Sequence, residues 1–360
     1  MAKIKYSKNT EQYWKDRYNL KESLGDRTEA EMLNHLKGLY QNSLLEIDKE
    51  IEAFYGRYAY NNDLSISEVK RRLNPKELQA SKNEMIKYYS EIDRLARKAD
   101  GEVSVKLLRK YKKELRLQSA KSYMSRLEDL KMRIKHSLVK LGLNENKTIH
   151  DSLFKTSKYS YTKSAYELSK YRGFANTFSD NQFEKIVNER WLGENYSDRV
   201  WENKEYLENE LEKIFLQGVV RGQNPRKIAE EMQKNMGGAY YRCERLARTE
   251  MIHTWNESTL ASYRDYGVER YQFVCGLDER TCPECGALDG EVFKVTEKIE
   301  GVNYPVIHPN CRCTTIPYFE PDDIDKMFDE STRVAYTENH DIYEVPASMT
   351  YSEWLKMTEN

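Results

Sequence analysis

Two short cysteine clusters, Cys282-Pro283-Glu284-Cys285 and His308-Pro309-Asn310-Cys311-Arg312-Cys313, decide the fold of the last third of this chain. In each cluster the donor side chains are close enough in sequence to turn together toward one ion, and a predicted hairpin lies between them. Two short ligand pairs of this kind are typical of a structural zinc site. We therefore predict bound Zn²⁺, with Cys282, Cys285, His308 and Cys311 as ligands. Cys313 is the alternative ligand, because five donors compete for four positions.

Buried free thiols and a disulfide pair are the alternatives to a metal site. The first residues contain no apolar signal segment, and no run of the chain approaches the ~18 apolar residues of a membrane span. We therefore expect a cytosolic protein when it is made, where disulfides are rare. Catalytic zinc is not favoured, since it needs a water position and a nearby base. Cys243 and Cys275 have no partner at ligand spacing and are predicted to be ordinary core residues.

The residues before the cysteine clusters are predicted to be almost entirely helical. Between residues 28 and 60, apolar residues recur at spacings of three and four, which indicates one buried helical face. Further helices are predicted from Pro75 to Ala99 and from Val103 to Leu141, the last as a long hairpin or coiled-coil-like arm closed by Gly142. More are predicted at about 151–170, 181–190, 198–221 and 225–236, and the pair Gly237-Gly238 is predicted to end the last of these and to separate two domains.

The fold class is therefore mainly α, with a long helical region over residues 1–237 followed by a small α+β zinc-stapled module over residues 238–320. In that module, residues 269–274 and 291–295 are predicted strands, with Asp289-Gly290 as a turn, and residues 314–318 are a predicted edge strand. Residues 321–360 are predicted to be an acidic tail that contains a short helix and an anchoring stretch at residues 351–355.

Charge is distributed unevenly along the chain. Residues 1–140 contain 31 Lys and Arg against 21 Asp and Glu, a net of +10, whereas residues 320–360 contain 3 against 11, a net of −8. A basic N-terminal region favours contact with DNA or with an acidic protein face, although a solvated helix carries such charges without binding anything. The residues proposed for this contact are Lys106, Arg109, Lys110, Lys112, Lys113 and Arg116.

A predicted helix over residues 239–266 carries a row of polar residues. Glu250, His253 and Glu257 share a face and offer a possible acid–base or metal group. We favour a polar seam formed by Arg248, Glu250 and Asn256 that docks this helix on the hairpin, because no nucleophile or phosphate loop lies nearby.

The same region resembles the head-morphogenesis (minor head, or Mu F-like) proteins of tailed bacteriophages. The resemblance covers about residues 240–317 and rests on Ala247-Arg248-Thr249-Glu250, Asn256, Tyr263 and Gly267, on residues 278–285 and 288–290, and on the second cysteine cluster. Residues 351–355 are also similar to such proteins. The helical region before residue 238 carries no signature of its own.

The resemblance implies a minor structural protein of the virion, inside the head or at the portal vertex, that acts in head assembly in the host cytoplasm. Its implied partners are the portal protein and a scaffold or major capsid protein, with double-stranded DNA contacted through the basic N-terminal helices, and no membrane. Some relatives carry an enzyme domain after this module. Residues 321–360 are too few for one, so we expect no enzyme.

Two other functions compete with the assembly role. A zinc-ribbon nucleic-acid-binding protein would need basic residues on the hairpin, but residues 276–310 contain three Lys and Arg against seven Asp and Glu. A metallo-nuclease would use His308 and Asn310, but no second histidine and metal-binding acid can be assembled around them.

Overall fold

The computed structural model describes residues 5–60, 64–96, 102–172, 178–275, 281–319, 332–336 and 342–346. Nine α-helices and one short 3-10 helix, Val295–Glu297, occur in these ranges. The α-helices are α1 (Lys5–Tyr58), α2 (Ile66–Lys70), α3 (Pro75–Ala96), α4 (Glu102–Ala120), α5 (Arg126–Arg172), α6 (Asp180–Val187), α7 (Tyr196–Val220), α8 (Pro225–Asp265) and α9 (Pro283–Leu288). The strands are β1 (Arg270–Val274), β2 (Val292–Lys294), β3 (Thr314–Tyr318), β4 (Thr332–Tyr336) and β5 (Ile342–Pro346). The predicted fold class, mainly α followed by a small α+β region, is confirmed.

The chain divides into two compact units, and each is assembled from separate stretches. The helical unit contains Glu29–Leu153 and Val187–Glu250. The cysteine unit contains Met1–Thr28, Phe154–Ile186 and Met251–Asn360. The predicted division at residues 237 and 238 does not match these units, because α8 passes from one unit into the other without a break.

The helical unit is held together by apolar side chains that recur at helical spacing. On α1, Met32, Leu36, Ile47 and Ile51 are each at most 2 % exposed, as the periodicity predicted. A second cluster joins α3, α4, α5 and α7. Its members are all buried: Leu73, Met85, Ile92, Leu108, Tyr111, Leu115, Met124, Met132, Leu143 and Trp201.

Helix starts in this unit follow local capping chemistry. At α3, Asn74 and Glu77 each accept a hydrogen bond from the other's backbone N–H, at 2.8 and 3.0 Å, with Pro75 in the first turn. The helix predicted over residues 103–141 is two helices instead, because Ser125 and Glu128 form the same reciprocal cap at the start of α5. The Ser-x-x-Glu signal for this cap lies inside the predicted single helix.

Two predicted helix ends at glycine are wrong. α5 continues through Gly142 because that glycine packs against α7: a Cβ there would lie 2.7 Å from Trp201 Cζ3. α8 continues through Gly237-Gly238, and the flanking Met236 and Ala239 are 3 % and 0 % exposed. Burial of these neighbours holds the helix together across two residues that disfavour it, a tertiary effect that overrides intrinsic propensity.

The cysteine unit contains a three-stranded antiparallel sheet in the order β2-β1-β3. Gln272 of β1 pairs with Val292 of β2 and with Ile316 of β3, so β1 is central and β3 is an edge strand, as predicted. Gly290 adopts a φ of +85°, which fits the turn predicted before β2. α5, α6, α8 and the sheet share an aromatic core that includes Tyr161, Phe183, Tyr263, Tyr271 and Tyr304.

α5 and α8 also meet along buried hydroxyl groups within the cysteine unit. Ser157 Oγ lies 2.7 Å from Ser258 Oγ, and Ser160 Oγ lies 2.8 Å from Thr259 Oγ1. Such small side chains let two helices approach closely while pairing their own polar atoms.

In the C-terminal region, β4 and β5 form an antiparallel hairpin with Val334 opposite Glu344, which the sequence did not predict. The predicted short helix and the anchoring stretch at residues 351–355 lie outside the described residues. Among the described residues, no helix is both long enough and apolar enough to cross a membrane.

Candidate metal centre

The first cysteine pair lies at the start of α9, in the connection between β1 and β2. Cys282 is the N-cap of this short helix, and its Sγ accepts a hydrogen bond from the backbone N–H of Cys285 at 3.3 Å. Pro283 occupies the first turn, where a missing N–H costs nothing. This tight turn directs both sulfur atoms toward the same side.

The second cluster is also formed by a tight turn. The backbone N–H of Cys311 donates to the carbonyl of His308 at 3.0 Å, and Asn310 adopts a φ of +61°. Asn tolerates this left-handed conformation better than most residues do. The turn places His308 Nε2 and Cys311 Sγ beside the first pair.

The donor atoms of the two clusters are close enough to hold one ion. His308 Nε2 lies 3.1 Å from Cys282 Sγ and 3.3 Å from Cys285 Sγ, and the sulfurs of Cys285 and Cys311 are 3.9 Å apart. Around tetrahedral zinc, sulfur–sulfur edges are about 3.8 Å and sulfur–nitrogen edges about 3.5 Å, from Zn–S near 2.3 Å and Zn–N near 2.0 Å. The three distances are close to these edges, and the donors form two groups of three that share Cys285: Cys282, Cys285 and His308, and Cys285, Cys311 and Cys313.

The alternative ligand, Cys313, is also part of this cluster. The sulfurs of Cys285, Cys311 and Cys313 lie within 4.8 Å of one another, and all three residues are buried. Cys285 is shared by both possible sets, because it belongs to the group with Cys282 and His308 as well. The geometry thus brings all five predicted donors together without choosing between them.

The local field favours one thiolate in each cluster. The backbone N–H of Cys285 lowers the pKa of Cys282. A hydrogen bond from Cys313 lowers the pKa of Cys311 to about 5, and the same contact raises the pKa of Cys313. Two thiolates in one small cluster are the charge distribution that a divalent cation would stabilise.

Asn256, predicted as part of the polar seam, ties α8 to the residues that follow the second cluster. It is fully buried, and its Nδ2 donates to the carbonyl of Cys313 at 3.1 Å. Its Oδ1 accepts from Thr314 Oγ1 at 2.8 Å, and Tyr304 donates to its backbone carbonyl at 2.6 Å. This residue therefore docks the helix on β3, as the sequence analysis expected.

The other two seam residues make hydrogen-bonded pairs, but with partners other than the hairpin. Arg248 Nε lies 2.8 Å from Glu29 Oε1 on α1. Glu250 accepts from Trp191 Nε1 at 3.0 Å and pairs with Arg199 on α7. All of these residues belong to the helical unit, so these contacts do not join Arg248 and Glu250 to the hairpin, and their docking on it stays a prediction. Trp191 lies 59 residues from Glu250 in the chain, and no local pattern pointed to it.

The remaining acid–base candidates form a separate, buried ionic cluster in the cysteine unit. His253 Nε2 lies 3.5 Å from Glu300 Oε1, and Glu257 pairs with Lys298. Lys298 Nζ also lies 2.9 Å from Glu300, so its ammonium supplies the cation between the two carboxylates. The hydrogen bond with His253 lowers the pKa of Glu300, burial raises it, and Lys298 lowers it again, so that the pKa is about 2. The ionic cluster anchors to α8 the loop that precedes the second cysteine cluster. No sequence motif indicated Lys298 or Glu300.

These elements define a class of protein: a largely helical chain whose C-terminal part holds a cysteine–histidine cluster against a three-stranded sheet and a long helix. Residues 209–316, from within α7 to within β3, match the family described as Phage Mu protein F like protein. The match confirms the Mu F-like family that the motifs predicted, and it begins further upstream than the motif-bearing residues. The match indicates a phage head or morphogenesis protein that is a component of the virion.

Among curated proteins, the chain is similar to an uncharacterized protein of Haemophilus influenzae, with 24 % identity over 116 residues. The alignment covers 32 % of this chain and 26 % of the relative, so the chain spans about a quarter of that protein's length. No solved structure gives a significant match.

Proposed function

We propose that the protein is a minor structural component of a phage head that acts in head assembly at the portal vertex and has no enzymatic activity. The observation that carries this proposal is the Mu F-like match over residues 209–316. That segment includes the end of α7, all of α8 and the cysteine cluster. Within the cysteine unit, buried hydrogen bonds of Asn256 fix α8 to β3, and such a rigid surface suits docking on another protein.

The role proposed for the cysteine cluster is structural. With zinc bound, the site would join two turns that are 22 residues apart in a segment with few large apolar side chains. Metal binding to such a segment contributes directly to its folding. Cys282, Cys285, His308 and Cys311 would hold the ion, and Asn256 would orient the strand that follows.

Metal analysis of the purified protein tests this role. We expect about one zinc per chain, as the single tetrahedral site requires. Cys285→Ser should abolish metal binding, because Cys285 belongs to both possible ligand sets. Cys313→Ser, the matched control, should retain zinc if the first-choice ligands are correct, whereas loss of zinc would assign the site to Cys313. Metal-free wild-type protein with an intact fold would exclude the structural zinc site.

Portal association is tested by co-expression with a candidate portal protein from the same phage and co-purification on a tag carried by the portal. We expect the chain to co-purify in stoichiometric amount. Arg199→Ala, which disconnects the Glu250 anchor while leaving the metal centre intact, should reduce recovery if α8 must be held rigid. A folded, soluble chain that does not co-purify with the portal protein would contradict the assembly role.

DNA contact through the basic helix is a second proposal, and one specific observation favours it. On α4, Lys106, Arg109, Lys110, Lys113 and Arg116 are all exposed. The cysteine unit does not favour a zinc-ribbon reader of DNA, because Glu284, Glu291 and Glu297 are exposed around the site. If the chain contacts nucleic acid, α4 is the better surface.

A further inference from the structure

A cleft of about 670 Å³ lies in the helical unit and is lined by residues of α4, α5 and α7 and by the turn before α7. Its lining includes an apolar part, called its floor, that contains Leu107, Leu138, Val139 and Trp201. Its two sides carry opposite charge. The α4 side carries Lys106, Lys110 and Glu114, and the α7 side is mainly acidic, with Asp198, Glu202, Glu205 and Glu208 against Lys204.

Most charges in the cleft are already paired within the unit. Lys135 pairs with Glu114 and Glu208 at 3.1 and 3.0 Å, and Arg190 pairs with Asp198 at 2.8 Å. These pairs neutralise one another and leave the charges of Lys106, Lys110, Glu202 and Glu205 to be accounted for.

Two lysines on one edge face two glutamates on the other. Lys106 and Lys110 lie one helical turn apart on α4 and are exposed, and neither makes an ion pair with another residue that the structure describes. Glu202 and Glu205 are exposed on α7. The slight burial of Glu202, and then the neighbouring carboxylate of Glu194, raise the pKa of Glu202. A cation close to this edge would therefore stabilise the ionised carboxylate.

An exposed apolar side chain borders the acidic edge. Leu192 is 76 % exposed and adopts a φ of +53°, a conformation that is rare for Leu. The turn is fixed from within, because Arg199 donates to the carbonyl of Trp191 at 2.7 Å. Arg190 and Glu194, on either side of Leu192, both line the cleft. The fold itself gains nothing from a leucine in this conformation and exposure.

We propose that this cleft is a self-association surface, in which two copies of the chain pair about a two-fold axis. Lys106 and Lys110 of one copy face Glu202 and Glu205 of the other, and Leu192 of each copy packs on the apolar floor of its partner. A two-fold contact requires one surface to be complementary to itself. This cleft meets that requirement, since it carries a basic edge, an acidic edge and an apolar side chain beside its own apolar floor.

A second copy is a better occupant than an unrelated chain for one physical reason. A foreign partner needs charges placed to match both edges, whereas a second copy rotated by two-fold symmetry supplies both automatically. The charge pairs would set orientation and the leucine would supply buried apolar area.

Sedimentation velocity of the full chain tests the proposal at roughly 1 to 100 µM, where a dissociation constant near 10 µM shifts the population. We expect the weight-average mass to rise from monomer to dimer over this range. Two charge-reversal variants, K106E/K110E and E202K/E205K, should each remain monomeric. An equimolar mixture of the two should dimerise again, because each reversed edge then meets its complement in both contacts.

Two further variants separate pairing from folding and from general charge. R109E/K113E changes the net charge as much as K106E/K110E does, but on α4 residues outside the cleft lining, and should still dimerise. Leu192→Gly should weaken dimerisation at least about tenfold while its Tm stays within about 2 °C of wild type, since glycine tolerates the positive φ. A wild-type chain that stays monomeric throughout, or reversed variants that fail to restore the dimer when mixed, would overturn the proposal.

Discussion

Of two glycines inside long helices of this protein, one is required by packing and the other is not. Gly142 is required by a neighbour, because Trp201 occupies the space that a side chain would need. Gly237 is not, because no atom lies within 4 Å of a Cβ built there and the residue is exposed. The same residue type in the same local pattern thus has a packing role at one position only.

The first prediction compares these two glycines. Gly142→Ala should destabilise the protein by about 1–3 kcal/mol, because the methyl group overlaps the Trp201 ring and forces α5 from α7. Gly237→Ala should stabilise it by about 0.5–1 kcal/mol through helix propensity alone. Chemical denaturation monitored by circular dichroism measures both changes. Equal effects at the two positions would contradict the packing at Gly142.

The second prediction concerns Asn256, which joins α8 to β3. Asn256→Ala leaves the Cys313 carbonyl and the Thr314 hydroxyl without this buried partner, so it should cost about 2–4 kcal/mol. Asn235→Ala on the same helix is the control: among the described residues, Asn235 donates to the Glu231 carbonyl alone, and its loss should change stability by less than about 0.5 kcal/mol. Urea denaturation compares the two, and a cost for Asn256→Ala no larger than the control would show that the joint contributes little.

At the scale of elements, the loop between β2 and the second cysteine cluster is held to α8 by charge. Lys298 and Glu300 belong to the loop, and His253 and Glu257 belong to the helix. Tyr271 adds a hydrogen bond to the Asn303 carbonyl at 3.2 Å. Because the loop leads into His308, its attachment also positions the second cysteine cluster.

The third prediction follows from the pKa of Glu300, which is about 2 in the folded protein against a usual value near 4.3. A lowered folded-state pKa means that the ionised carboxylate stabilises the fold. This contribution is complete above about pH 4.5 and disappears as the pH falls toward about 2. Glu300→Gln should therefore be less stable than wild type near pH 6, with a difference that shrinks as the solution is acidified.

Thermal unfolding at a series of pH values measures this difference. Glu297→Gln is a suitable control, since Glu297 lies in the same segment, is exposed and pairs with Lys294 on the surface. Its effect should be small at every pH. A Glu300→Gln deficit that grows on acidification would have the wrong sign for this interpretation.

At the scale of the whole molecule, the exposed basic face of α4 is the surface on which the DNA and self-association proposals meet. The fourth prediction is that the chain binds short duplex DNA with an affinity that falls as salt rises, by about 0.9 log units per tenfold salt for each phosphate neutralised. R109E/K113E should weaken DNA binding and leave dimerisation intact. E202K/E205K should prevent dimerisation and leave DNA binding intact. Fluorescence anisotropy with labelled DNA measures the first effect, and salt-independent or absent binding would exclude the DNA contact.

Much of this protein was determined by local sequence, because its elements depend on neighbours within a few residues. The buried face of α1, the cap at Pro75, the strands β1 to β3 and the two turns that bring the five candidate metal donors together all follow from spacing and turn chemistry. The start of α5 belongs with them, since Ser125 and Glu128 form a local signal.

Other features were decided only by tertiary structure. The passage of α5 through Gly142 depends on Trp201, and the partners of Glu250 are Trp191 and Arg199. The ionic cluster of His253 and Glu257 on α8 is formed with Lys298 and Glu300 of the loop. The two units also take their parts from separate stretches of chain, which no boundary signal could show. In each case the free energy comes from contacts between residues 40 or more positions apart, and a local pattern contains no information on which distant residues will meet.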